Sequence, residues 1–190
     1  MNNYLNSYYH GLAGNIVIYN PQTIINLALK QLDMIIKTKG LYSRKYLNKM
    51  NINYLEHKGV FNGDDYISVT TPIFDDTEYS GKNEGFESSY LKYTNNTISI
   101  VLSKNIENTC KFRTGKFDYL PGERQVKDKI PIDDFIAIKV SFENDFLTKV
   151  VAELVKEVLN NNNINLPIID KDLNEIKLST PKKTIWYLYE

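Results

Sequence analysis

The stretch from residue 135 to residue 160 constrains this chain most. Phe135, Ile136, Ala137, Ile138 and Val140 form an apolar run of strand length that reads as a buried strand. Asn144 then caps a helix in which Leu147, Val150, Val151, Leu154, Val155, Val158 and Leu159 recur at i, i+3, i+4 spacing. A helix with one apolar stripe needs a surface to bury it, and the preceding strand supplies part of that surface. A second helix is read from Asn20 as cap and Pro21 as first residue, with Ile25, Ala28, Leu29, Leu32, Ile35 and Ile36 on one stripe and a stop at Gly40.

Strands and helices alternate without a regular order, so the expected class is α+β. Residues 8–19 read as strand, turn and strand, with Gly11 and Gly14 as breakers before Ile16, Val17 and Ile18. A turn at 62–64 precedes a strand at 66–70, which Pro72 ends. A short helix at 86–93, a strand at 97–102 and a strand at 123–127 follow. Residues 75–85 and 104–122 read as loops, and the tail carries Ile168, Ile169 and an aromatic strand at 185–189.

At 190 residues the chain can bury roughly 70% of its unfolded surface, so one domain spanning 1–190 needs no covalent or metal staple. The lone thiol, Cys110, makes no internal disulfide, and with two His the chain has too few soft ligands for zinc. No apolar run approaches the ~20 residues of a membrane span, and the start lacks a cationic, then apolar leader. The expectation is therefore a cytoplasmic protein without membrane contact or bound metal. Asn, Lys, Ile and Tyr are abundant against three Arg, a bias toward A/T-rich codons that suggests a low-GC bacterial or phage genome.

The 23 basic and 23 acidic side chains cancel, which excludes a uniformly basic nucleic-acid sleeve. Their order is uneven. Residues 37–58 carry Lys37, Lys39, Arg44, Lys45, Lys49 and Lys58 against Glu56 alone. Residues 60–90 carry Asp64, Asp65, Asp75, Asp76, Glu78, Glu84 and Glu87 against Lys82. A local basic patch is compatible with the neutral total.

The usual catalytic signatures are missing: no phosphate loop, dinucleotide fingerprint, zinc-protease helix or nucleophile elbow occurs. The two glycines of the segment from His10 to Gly14 have the wrong spacing for a dinucleotide fingerprint. What remains is a set of polar residues at strand ends: His10, Tyr66 with Ser68, and Glu123.

In order along the chain these residues resemble the ADP-ribosyltransferase superfamily. Tyr9-His10-Gly11 opens a first strand, and a helix ending at glycine leads to Leu41-Tyr42-Ser43-Arg44. Gly63-Asp64-Asp65-Tyr66-Ile67-Ser68 forms a later strand, and Gly122-Glu123-Arg124-Gln125-Val126 precedes Ile130-Pro131 and the buried strand. The likeness is to the His-Tyr-Glu type and its DarT branch, which modifies DNA, and it covers about residues 8–140. It implies a split β-sandwich core with flanking helices, the helix at 144–160 and the tail at 164–190 docking on it. It implies NAD as substrate, Glu123 as catalytic carboxylate, and His10, Gly11, Arg44, Tyr66 and Ser68 as NAD-binding residues. Tyr66 and Ser68 compete for the middle position, and no Thr follows His10-Gly11.

The residue types suit that chemistry. Breaking the nicotinamide–ribose bond passes through an oxocarbenium-like transition state, which a fixed carboxylate stabilises. A tyrosine ring can stack on nicotinamide, a histidine can bind a ribose hydroxyl, and an arginine fork fits a diphosphate. The acceptor of ADP-ribose would be nucleic acid or protein, as in an intracellular toxin or phage-defence component with an antitoxin. Two other readings use the same fold: a non-catalytic nucleotide- or partner-binding regulator, and an RNA 2′-phosphotransferase that does not depend on Glu123. The plainer readings are a strand-end His10, a solvated Glu123 paired with Arg124 or Lys127, an ordinary Tyr66 among 14 tyrosines, and an Arg44 on a solvated face.

Overall fold

The computed structural model describes residues 4–12, 21–52, 65–72, 94–114 and 122–178. The order of elements is β1 (Tyr8–Gly11), α1 (Pro21–Lys37), β2 (Gly40–Tyr42), α2 (Arg44–Lys49), β3 (Tyr66–Thr70) and β4 (Thr97–Leu102). Then come α3 (Ile106–Thr109), β5 (Glu123–Lys127), β6 (Lys129–Pro131), β7 (Phe135–Ser141), α4 (Asp145–Asn161) and β8 (Ile168–Ile169), with a 3-10 turn at Ile132–Asp134. The strand expected at 16–18, the turn at 62–64, the loop at 75–85, the helix at 86–93 and the strand at 185–189 lie outside the described residues.

Six strands pair in the order β5-β3-β1-β4-β7-β8, all antiparallel except β7 with β8, and β2 pairs with β6 in a separate ribbon. The class is α+β. Alternation along the strands assigns the two faces. Tyr8, Ile67, Val69, Ile98, Ile100, Leu102, Val126, Ile138 and Val140 point to one face and pack with Ile25, Ala28, Leu29 and Leu32 of α1 and Val151, Leu154 and Val155 of α4. The stripes read from the sequence are thus the buried ones, and each such side chain stabilises by about 1.5–3 kcal/mol when fully buried. Tyr9, Val101, Ala137 and Ile169 point the other way and make a smaller cluster with Leu173.

Asn144 caps α4 as its position predicts: its side-chain oxygen accepts from the amides of Phe146 at 2.8 Å and Leu147 at 3.2 Å. At the end of α1 the left-handed residue is Lys39, with φ 59°, and not Gly40. Gly40 serves a different need. It starts β2 opposite Pro131, and a Cβ there would lie 2.6 Å from the carbonyl oxygen of Ile130. Gly40→Ala is expected to cost about 1–2 kcal/mol, read as a lower urea midpoint, because the ribbon must move apart to admit one carbon. An unchanged midpoint would mean that the β2–β6 ribbon is not closely joined.

Within the polar stretch 104–122, read as an irregular loop, residues 104–114 are structured. Ile106 is fully buried and anchors α3, and Phe112 forms a bridge with Val126 that adds residues 111–113 beside β5. The sequence hid this because one apolar residue per turn and one Phe between Lys111 and Arg113 fall below any periodic signal.

One junction in the sheet is thin. Among the described residues β1 matches β4 at four positions and β3 matches β5 at five, but β1 and β3 share the single pair Tyr9 with Thr70. The sheet therefore divides at a seam into β5-β3 on one side and β1-β4-β7-β8 on the other.

Candidate functional site

Five of the six expected site residues lie on three neighbouring strands about the seam, and Arg44 does not. β1 carries His10 and Gly11, β3 carries Tyr66 and Ser68, and β5 carries Glu123, and these three strands are neighbours in the sheet. Residues distant in sequence are brought together by two antiparallel pairings. Thr70 stands opposite both Tyr9 and Glu123, so Tyr9, Thr70 and Glu123 form one row across the three strands.

His10 fills the seam. Its Nδ1 lies 2.8 Å from the carbonyl oxygen of Ser68. A carbonyl only accepts, so Nδ1 carries the hydrogen and Nε2 keeps its lone pair. Burial pulls the imidazole below its usual pKa, against a smaller upward pull from the Ser68 carbonyl, so the ring is neutral at pH 7. The result is an acceptor nitrogen of fixed tautomer at the point where the sheet parts.

Strand alternation places Glu123 and His10 on opposite faces. His10 shares its face with Tyr8 and Ile100, while Glu123 shares its face with Thr70 and Tyr9. His10 and Glu123 stand on the two strands that flank β3, on opposite faces of the sheet, and not as partners on one surface. Ser68, exposed, lies two residues from Thr70 on the face of Glu123. Gly11 ends β1 opposite Ser99.

Tyr66 sits elsewhere. Four residues along β3 separate it from the Glu123 row, about 14 Å at strand rise. Ser68 is thus the middle residue closer to Glu123, and the two competing positions are separated by geometry. Tyr66 is matched with Lys127, and the guanidinium of Arg113 lies 5.3 Å from its ring centroid. Arg113 also donates from Nη1 to Oε1 of the buried Gln125 at 2.9 Å, and its backbone N–H donates to the Gln125 carbonyl at 2.8 Å. Gln125 is matched with Ser68, so Arg113, Gln125 and Ser68 continue one row. Arg113 escaped the sequence reading because residues 111–113 read as loop.

Arg44 opens α2 behind the side-chain cap of Ser43, outside the strand pairings that join His10, Ser68 and Glu123. The Ser43 amide donates to the Asp128 carbonyl, and the Asp128 amide to the Asp65 carbonyl, which ties α2 to the Tyr66 end of β3. There Lys45, Asn48, Lys49 and Asp65 line an open groove. Lys45 pairs with Asp65 at 2.9 Å, and Lys45, with help from Lys127 and Lys49, holds the Asp65 carboxyl below its usual range. Tyr46, on the same helix as Lys45 and Lys49, stacks on Tyr42 with ring centroids 5.2 Å apart.

Burial pushes the Cys110 thiol up, the direction of an unreactive thiol. Among the described residues no group of three His, Cys, Asp or Glu could hold a metal ion, and no helix is long and apolar enough to cross a membrane. In comparisons with known proteins, no family model and no curated sequence matches this chain.

Proposed function

We propose that the protein is an NAD-dependent ADP-ribosyltransferase. The observation that carries this reading is the contiguity of β5, β3 and β1, with Glu123, Ser68 and His10 around a seam that His10 itself fills. A split β-sandwich core belongs to the same proposal, the seam being the split. In the reaction the bond between the ribose C1′ and the nicotinamide nitrogen breaks, and its electron pair leaves with neutral nicotinamide. Glu123 stabilises the positive charge left on the ribose and Ser68 holds the same sugar from the Glu123 face, while His10, on the opposite face, fixes the Ser68 backbone through its Nδ1. The acceptor's nucleophile then bonds to C1′ and releases its proton. The test is nicotinamide release from NAD in the presence of nucleic acid and protein extracts, with mass spectrometry of both for an ADP-ribose adduct. No release with any acceptor rejects the proposal.

Nucleic acid is the acceptor class favoured by the groove of Lys45, Asn48 and Lys49. Lys45, Lys49 and Lys127 all act on the Asp65 carboxylate, and Tyr46 of the same helix stacks on Tyr42, which suits a phosphate backbone with bases to stack. A single-stranded oligonucleotide is expected to bind with an affinity that falls steeply with salt. Lys45→Ala with Lys49→Ala should weaken it for all sequences and reduce the slope of log affinity against log salt by about 2. An affinity indifferent to both lysines would move the acceptor class to protein. A toxin or phage-defence role with an antitoxin follows by analogy with the resemblance.

A further inference from the structure

We infer that Tyr66 and Arg113 form a subsite for the adenosine diphosphate end of the dinucleotide; the inference rests on the NAD reading above. Glu123 fixes where the nicotinamide riboside must lie, at the Thr70 row of β3. Tyr66 is on the same face but about 14 Å away along the strand, too far to stack on a nicotinamide whose ribose is held at Glu123. That separation is about the reach of an extended dinucleotide from its nicotinamide riboside to its adenosine.

The groups at the far end fit what arrives there. Tyr66 offers an aromatic face, and Arg113 stands over that ring at 5.3 Å while its Nη1 donates to the buried Gln125. A guanidinium held in that way is oriented before any ligand binds, and its fork suits a diphosphate. Of the three arginines, Arg124 alternates onto the opposite face, where it acts on Tyr8, and Arg44 belongs to α2. Arg113 alone extends the sheet on the face of Glu123 and Ser68. The ligand class is an adenine nucleotide with at least one phosphate, bound in extended form along β3 and β5.

Two measurements test this. Calorimetry with ADP reads the subsite without cleavage: wild type should bind, Arg113→Ala and Tyr66→Ala should bind at least about tenfold more weakly, and Tyr66→Phe should keep the affinity. Cleavage of NAD compared with nicotinamide mononucleotide, which lacks the adenosine half, reads the same subsite in the reaction. Arg113→Ala should lower kcat/KM for NAD about tenfold more than for the mononucleotide. Thermal melting establishes that each variant is folded, and Arg113→Lys, which keeps the charge and loses the fork, should be intermediate. NAD cleavage that depends on Glu123 but shows an unchanged substrate ratio in Arg113→Ala overturns the subsite and leaves the transferase reading standing. Wild type that binds ADP through Arg113 but releases no nicotinamide supports the subsite and rejects the transferase. Failure of wild type to bind ADP overturns the subsite outright.

Discussion

Glu123→Gln is expected to lower nicotinamide release from NAD by about 10²–10³-fold, with KM for NAD changed little. Glutamine keeps the size and one hydrogen-bonding oxygen of the glutamate, so the sugar can still be held. It removes the negative charge, whose stabilisation matters only once the ribose carries positive charge. The loss should therefore appear in kcat. Position 123 begins β5, is half-buried and pairs in register with Thr70, so the exchange leaves the core untouched and the melting temperature close to wild type. Full activity in Glu123→Gln is the result that sinks the carboxylate mechanism. It would direct attention to phosphate transfer on the same fold, which needs basic groups in the cleft rather than this glutamate.

Periodicity carried the fold as far as local signals reach. The stripes of α1 and α4, the alternation of β4 and the turn before Glu123 depend on neighbours within a few residues, so they are legible in the chain. The β2–β6 ribbon was not, because three-residue strands have no period to detect and exist through their pairing alone. The seam was invisible for a related reason. It is a short pairing between β1 and β3, strands separated by α1, β2 and α2, and no residue of either strand announces it.

The site shows the same division. His10, Ser68 and Glu123 could be named from order along the chain, but their relation could not. That His10 gives its Nδ1 hydrogen to the Ser68 carbonyl, and that it faces away from Glu123, follow from strand register. Register also separates Tyr66 from the Glu123 row, where sequence order had left it equal to Ser68. Arg113 required the bridge between Phe112 and Val126 before it could be seen as part of a sheet face.

Lys139→Met is expected to stabilise the protein by about 1–3 kcal/mol at pH 7. Lys139 lies in the middle of β7, 1% exposed, in the apolar run that most constrains the sequence. Its Nζ donates to the Thr94 carbonyl at 3.2 Å and to the Thr94 hydroxyl at 3.0 Å. Opposite on β4 stands Ser99, whose buried Oγ has no hydrogen-bond partner among the described residues. Burial pulls the ammonium pKa from 10.5 down to about 8, although Asp170 and Asp172 pull it up. A gap of that size corresponds to about 3 kcal/mol against the folded state whenever the group is charged. Below pH 8 both folded and unfolded chains are protonated, and the penalty is complete. Between about pH 8 and 10.5 the unfolded chain binds more protons than the folded one, so stability should rise with pH, and above 10.5 the penalty vanishes. Methionine has nearly the same length without the charge, and its gain is reduced by the polar contacts of Lys139 that are lost, the bonds to Thr94 among them. Urea unfolding at pH 7 through 10 should show wild type gaining on Lys139→Met as pH rises. Parallel curves, or a variant less stable at pH 7, would show that the ammonium is better solvated than its burial implies. The row of Lys139 runs through Ser99 to Gly11, the residue after His10, so the stability sacrificed at this lysine is spent in the strand row that borders the seam. A more stable Lys139→Met with unchanged nicotinamide release would separate that cost from the chemistry, whereas a coupled loss of release would make the buried ammonium part of how the seam is held.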